Sequence, residues 1–220
     1  MVRLMRILVP AVLAILLFLT LSLGVIMDMA FDRDFYEEQF SLNGATARFG
    51  DGAMAAAENV MDYLRGQGLL SDFFNEREKA HMVDVKGLFD TAEMIALISL
   101  VLAVLIVLYL YWKMPQQAVR LVGLGLILVL PVAGLVALLI MVQDFSTFWK
   151  GFHELVFSND LWLLDPETDN MIVLFAGDFF SNMVERIIVS IGLLSLLCAG
   201  VGVVLYRWKA QLKKGRGSRV

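Results

Sequence analysis

Four stretches of the chain lack any charged residue and are almost continuously apolar: 7–27, 94–112, 121–142 and 187–206. Each is about 20 residues long, the length a helix needs to cross the hydrocarbon of a bilayer. Between them lie two long, mixed segments, 28–93 and 143–186, and one very short one around Met114-Pro115-Gln116-Gln117. The pattern predicts an all-α membrane protein with four transmembrane helices, read as one integral membrane domain over 1–220. The tight 113–120 connection makes the second and third spans antiparallel neighbours. Pro10 falls in the first turn of the first span, and Pro131 with Gly134 predicts a kink in the third.

The first span invites a second reading as a cleaved signal peptide. Arg3 and Arg6 supply a basic start, and Ser22-Leu23-Gly24 offers a small-residue cleavage site. Its apolar run exceeds the ordinary signal core of about 7–15 residues, so an uncleaved anchor is expected.

The long segments carry their own local signals. Residues 40–49 read as a short hairpin around Asn43-Gly44, and 53–65 as a helix. Asn75 with Glu78 forms a capping-box pattern that opens a helix through His81. Asp90 with Glu93 repeats the pattern, and Gly87 lies between them, so the His81 helix is read as separate from the second span. In the second long segment Phe145, Phe148, Trp149 and Phe152 recur at helical spacing, as an aromatic face at a membrane interface does. Residues 171–176 are apolar but too short to cross, which suggests a re-entrant or interfacial piece. Asp178 is placed to cap the helix leading into the last span. The long segments thus predict a small cap of helices with a short hairpin.

Charge orients the chain. The tail before the first span, the 113–120 turn and the C-terminal tail hold ten basic residues and no acid: Arg3, Arg6, Lys113, Arg120, Arg207, Lys209, Lys213, Lys214, Arg216 and Arg219. All 22 acidic residues lie in the two long segments. The positive-inside rule then puts both termini in the cytoplasm and the acidic loops on the extracytoplasmic side. The basic tail is an orientation signal with some attraction to anionic membrane lipid. Without a recognition fold it does not suggest nucleic acid. The single cysteine, Cys198, sits within the fourth span and excludes an intramolecular disulfide or a cysteine metal site. No ionisable residue interrupts a span to mark a transport path.

Candidate chemistry narrows to the two histidines, His81 and His153. Topology returns both to the same face, and imidazole is the side chain best poised for proton transfer near neutral pH. Asp84, three residues after His81, shares its helical face. Lys86 adds a nearby cation, while Glu154, adjacent to His153, points elsewhere. Three readings stay open on spacing alone. The histidines are ordinary interface residues, or they bind a metal with a carboxylate such as Asp84, or they are an acid–base pair. His153-Glu154 does not extend to a zinc-protease motif, because residue 157 is Phe. No Gly-x-Ser-x-Gly elbow is present.

The runs His81-Met82-Val83-Asp84-Val85-Lys86, Phe152-His153-Glu154-Leu155-Val156-Phe157-Ser158-Asn159 and Trp162-Leu163-Leu164-Asp165-Pro166, set in a four-span chain of this length, resemble the Lit family of bacterial lipoprotein intramolecular transacylases. The resemblance implies an enzyme of the cell envelope that needs no metal or cofactor. Its substrate is a diacylated lipoprotein, and an acyl chain moves from the S-diacylglyceryl group to the α-amino group of the N-terminal cysteine, giving the lyso form. It implies His81 and His153 as catalytic residues. Asp84, Lys86, Glu154, Asn159 and Asp165 are candidate supports, and Trp149, Phe152 and Trp162 a candidate substrate face at the membrane. The competing readings are a non-enzymatic accessory protein and another lipid-modifying enzyme.

Overall fold

The computed structural model describes residues 2–217, with the side chains of 4–208. The side chains of Arg3 and of the basic residues from Lys209 to Arg219, which carry much of the charge argument, lie outside the described residues. Among the described residues the chain is helical throughout and has no strand: α1 (Val2–Ala30), α2 (Arg33–Leu42), α3 (Ala45–Phe49), α4 (Gly52–Leu64), α5 (Glu76–Lys113), α6 (Pro115–Met141), α7 (Phe145–Val156), α8 (Asn170–Leu174) and α9 (Phe179–Gly217). Four of these, α1, α5, α6 and α9, are long and apolar enough to cross a membrane, so this is a multi-pass membrane protein.

The chain divides into two compact units. The first holds the chain up to Val25, Glu93–Val142 and Ile188 onward. Its interior is made of small and aliphatic side chains: Leu13, Ala14, Ala103, Leu110, Ala118, Leu121, Val129, Ala133 and Ala199 are buried. Its outward faces carry exposed leucines and valines such as Leu97, Leu105, Leu135, Leu193 and Leu197. A face of that kind is stable against lipid tails and costly in water. Without a hydrophobic drive between helices, close approach of backbones does the packing. A Cβ built on Gly202 of α9 would stand 2.6 Å from the Gly123 carbonyl oxygen of α6, and one on Gly123 would stand 2.8 Å from the Gly202 oxygen. Glycine is required at both for steric reasons. At one end of this unit Arg120 donates to the Tyr206 hydroxyl (2.7 Å) and Arg6 to Gln117 (3.1 Å).

The second unit comprises Ile26–Ala92 and Gln143–Ile187. Its core is aromatic: Phe35, Tyr36 and Phe40 of α2 pack with Phe175 and Phe179, and Ala53, Ala56, Ala57, Val60 and Met61 of α4 complete it. Two sequence expectations fail here. The Asn43-Gly44 pair does not form a hairpin. Phe35, Tyr36, Gln39 and Phe40 are buried along one helical face, so the chain enters the turn as a helix. Gly44 takes a left-handed conformation (φ 83°) between two helices. Asn43 accepts from the Ala45 amide and donates to the Leu174 and Ala176 carbonyls, locking the turn to the far end of the chain. Nor is the His81 helix separate from the second span. α5 runs unbroken from Glu76 to Lys113. Gly87 keeps helical backbone, Thr91 donates back to its carbonyl (2.8 Å), and the Asp90/Glu93 pattern caps nothing. One glycine costs a helix only about 1 kcal/mol, too little to break one favoured on both sides. The apolar 171–176 stretch is accounted for inside this unit, since Met171 and Leu174 are buried in its core.

Other expectations hold. α6 starts at Pro115 directly after α5 ends, Gly52–Leu64 is the anticipated helix, and α9 begins immediately after Asp178. The Asn75/Glu78 box forms in full: Asn75 accepts from the Glu78 amide (3.0 Å), and Glu78 accepts from the Asn75 amide (2.6 Å).

Replacing Gly202 by Val is expected to destabilise the first unit by about 1–3 kcal/mol, the usual effect of overpacking. Gly200→Val, where an added Cβ meets nothing within 4 Å, should leave it unchanged. Thermal unfolding of the two variants in detergent compares them, and equal midpoints would refute the close-approach account.

Candidate functional site

α5 and α7 each bring one histidine into the second unit. His81 lies in the second turn of α5, and His153 lies in the last turn of α7. Their ring centroids are 6.3 Å apart with 29° between planes. A single reacting group within hydrogen-bond reach of about 3 Å of each ring touches both. Each residue is only 7% exposed.

The shell around the pair is aromatic. Phe157 lies edge-on to His81 at 5.1 Å and tilted against His153 at 5.5 Å. Trp149, Phe152 and Trp162 surround His153 at 4.7, 5.4 and 4.9 Å. Trp149 is itself stacked on Phe180 of α9 at 4.4 Å. Trp149, Phe152 and His153 follow from one helix face, and Phe157 follows His153 by four positions, so the spacing that marked the stripe also encodes the cage. α7 itself is started by Asp144, which accepts from the Thr147 amide, as a helix N-cap does.

Burial sets the charge state. His81 is pushed down to about 4, first by loss of solvation, then by the neighbouring His153, with Asp84 opposing. His153 is lowered as well, again by burial, against a partial upward pull from the Trp149 carbonyl. Both imidazoles are neutral at neutral pH. His153 Nδ1 is 2.8 Å from the Trp149 carbonyl oxygen. A carbonyl only accepts, so Nδ1–H donates and Nε2 is left with a free lone pair. His81 Nδ1 is buried with no hydrogen-bond partner. The site therefore offers one oriented lone pair and one imidazole with an uncommitted nitrogen.

The anticipated supporting residues divide. Asp84 and Asn159 meet, the Asn159 amide donating to Asp84 Oδ2 at 2.9 Å. Trp149, Phe152 and Trp162 surround His153 as described. Lys86 does not join the pair: it donates to the Leu64 carbonyl (3.0 Å) and to Asp90 (3.4 Å), the first being a terminal carbonyl of α4 that lacks an intrahelical partner. Glu154 is exposed and paired with Lys150 at 3.6 Å, one helical turn back. Asp165 closes a turn, accepting from the Glu167 amide (2.9 Å). Sequence reasoning missed Phe157 and the use of the first turn of α5. Buried Glu78 accepts from the Met171 amide, and Asn75 donates to Asp169 (2.7 Å). The capping-box pattern announced Asn75 and Glu78 but not these long-range partners. Among the described residues no group of three or more His, Cys, Asp or Glu is arranged to hold a metal ion.

Four spanning helices and a buried imidazole pair define a multi-pass membrane protein with one compact candidate site. The sequence profile of the lipoprotein intramolecular transacylase Lit matches residues 11–180, and the chain belongs to that family. Solved structures of the membrane integral lipoprotein intramolecular transacylase Lit from Bacillus cereus share its fold. One has a TM-score of 0.75 at 22% identity, covering 96% of this chain and 98% of the other. A histidine-to-arginine mutant has 0.72 at 24%, covering 98% and 95%. A histidine-to-alanine mutant has 0.71 at 22%, covering 96% of each. At these identities the likeness is one of fold. No curated protein matches the chain by sequence.

The charge state is testable. His81 protonates at about 4 when folded and at 6.5 when free, so the unfolded chain binds this proton more readily. The stability that neutral His81 contributes is complete above pH 6.5 and lost as pH falls toward 4. In an imidazole NMR titration His81 should remain neutral at pH 5.5, and the acid-side fall in thermal midpoint should be shallower in His81→Asn. A ring that titrates near 6.5 would overturn the assignment.

Proposed function

We propose that the protein is an intramolecular transacylase of the cytoplasmic membrane, with its site on the extracytoplasmic side. The substrate is a lipoprotein whose N-terminal cysteine carries an S-diacylglyceryl group. The observation that carries the reading is the buried, neutral imidazole pair, His81 and His153, at 6.3 Å, in a chain of the transacylase family. The acidic loops and basic tails support the orientation through the positive-inside rule.

Donor ester and acceptor amine belong to one molecule, so positioning supplies much of the rate. The α-amino nitrogen attacks the ester carbonyl. The N–C bond forms, the C–O bond to glycerol breaks, and the amine proton ends on the glyceryl oxygen. His153, with Nδ1–H held by the Trp149 carbonyl, takes the amine proton at Nε2. This is the orientation by a third group that activated bases require. His81 donates its N–H to the developing oxyanion and the leaving oxygen. Being neutral, it does so as a hydrogen-bond donor, and in an apolar cage that contact is stronger than in water. Asp84, held by Asn159, acts on His81 through its charge and partly offsets the loss of solvation there; the positive charge that forms when the amine proton is taken resides on His153.

Expression in a bacterial host lacking this activity, followed by mass spectrometry of N-terminal lipopeptides, tests the proposal. The native chain should give lyso-form lipoprotein. His81→Ala and His153→Ala should each lower formation by about 10²–10⁴-fold, the range for a general acid–base group, while still inserting in the membrane. N-acylation unaffected by both substitutions would reject the site. A native chain that gives no product but co-purifies with a stoichiometric partner would favour an accessory role.

A further inference from the structure

Between the end of α7 at Val156 and the start of α8 at Asn170 the backbone follows no regular helix, yet this segment presents Trp162 to His153. Within it the Leu163 amide donates to the Asp160 carbonyl at 3.2 Å, making a turn with Leu161 and Trp162 at its corner. The Leu161 amide donates to Asn159 Oδ1 at 3.1 Å and the Leu164 amide to the Trp162 carbonyl at 3.0 Å, so the turn's own bonds are few and local. Its carbonyls are also held from outside: Arg77 Nη2 donates to the Asp160 oxygen at 2.6 Å and to the Leu163 oxygen at 3.2 Å. Arg77 stands one helical turn before His81 on α5, so both side chains leave the same helical face. Both bonds come from the one nitrogen Nη2, whose two N–H groups lie fixed in the guanidinium plane.

We infer that Arg77 is a positioning residue for the imidazole pair, acting through Trp162: it pins the 160–163 turn to the His81 helix so that the Trp162 ring covers His153. Asn159 ties the start of the same turn to α5, donating to Asp84 and accepting from the Leu161 amide, and Arg77 ties its Asp160 and Leu163 carbonyls, which lie on either side of Trp162. The inference rests on the transacylase reading for its catalytic consequence, but not for the clamp itself. Arg77 makes its bonds to this segment with backbone carbonyls of the turn and not with an imidazole. Its loss leaves the acid–base groups intact and displaces their cover, so it acts on turnover more than on substrate binding.

The experiment uses the full-length protein in detergent with a diacylglyceryl lipopeptide. Arg77→Met, which keeps the stem and loses the fork, should lower kcat about 10- to 100-fold, the scale of a misplacement of about 1 Å, and change KM less than about twofold. Arg77→Lys should recover part of kcat. In a Trp162→Leu background the further effect of Arg77→Met should shrink below about twofold, because the two residues act in series. Hydrogen exchange across 157–169 should accelerate in Arg77→Met and not in His81→Ala, a readout that needs no turnover. Additive effects of the two substitutions, unchanged exchange, or faster exchange with unchanged kcat would each overturn the inference. A native chain without transacylase activity, but with the exchange response intact, would reject the function and leave the clamp standing.

Discussion

Burying an imidazole among aromatic rings removes the water that stabilises its charged form, and everything at this site follows from that. His153 is covered by Trp149, Phe152, Phe157 and Trp162, and His81 packs against Phe157 and His153 itself. Two cations this close would also repel, and the depression of His81 by His153 records it. Both rings are therefore neutral at neutral pH. A neutral pair has one hydrogen-bond direction to settle for each ring. For His153 the carbonyl of Trp149, one helical turn back in α7, settles it by accepting from Nδ1–H. α7 ends directly after His153's turn, where the Phe157 amide closes back on the His153 carbonyl.

Holding two rings in that state requires a rigid frame, and the first turn of α5 provides much of it. Asn75, Arg77 and Glu78 reach into three parts of the segment that follows α7. Asn75 holds Asp169, Arg77 holds the 160–163 turn, and Glu78 holds the start of α8 at Met171. A segment with no repeating backbone bonds of its own thus takes its order from a neighbouring helix end, where amides and capping side chains are in surplus. A buried, acceptor-only Glu78 in this place is stabilised by the backbone amides it satisfies, not by a cation. The negative charge also sits within the favourable N-terminal turn of a long helix.

The spans were legible because each is a run of one kind of residue, and hydrocarbon allows only helix there. The helices of the second unit were legible where periodicity was strong, as in 53–65 and along the aromatic stripe of α7. The hairpin at Asn43-Gly44 was misread because that pair terminates a helix as readily as it turns a hairpin. The choice between them lay in Phe35, Tyr36 and Phe40, whose helical register shows only once their aromatic partners Phe175 and Phe179 are in place. The break expected at Gly87 failed for the opposite reason: local punctuation was weaker than the helix on either side. At the site, residues on a shared helix face could be read, as with Trp149, Phe152 and His153. Lys86 could not, because its acceptor is a carbonyl of α4, and no local pattern announces a contact across 22 positions.

On the proposed reading, the economy of the site matches the reaction. A transfer between two groups of one lipid-anchored molecule needs no second substrate to be captured and no acyl-enzyme to be stored. What remains is one proton to move and one oxyanion to hold. Two neutral imidazoles suffice if neither must first shed a charge, and a shared apolar cage secures that for both. The same cage excludes water, the competing nucleophile that would turn transfer into hydrolysis. A site built mainly from aromatic rings, with few charged groups near the reacting atoms, is therefore suited to choosing the amine over water.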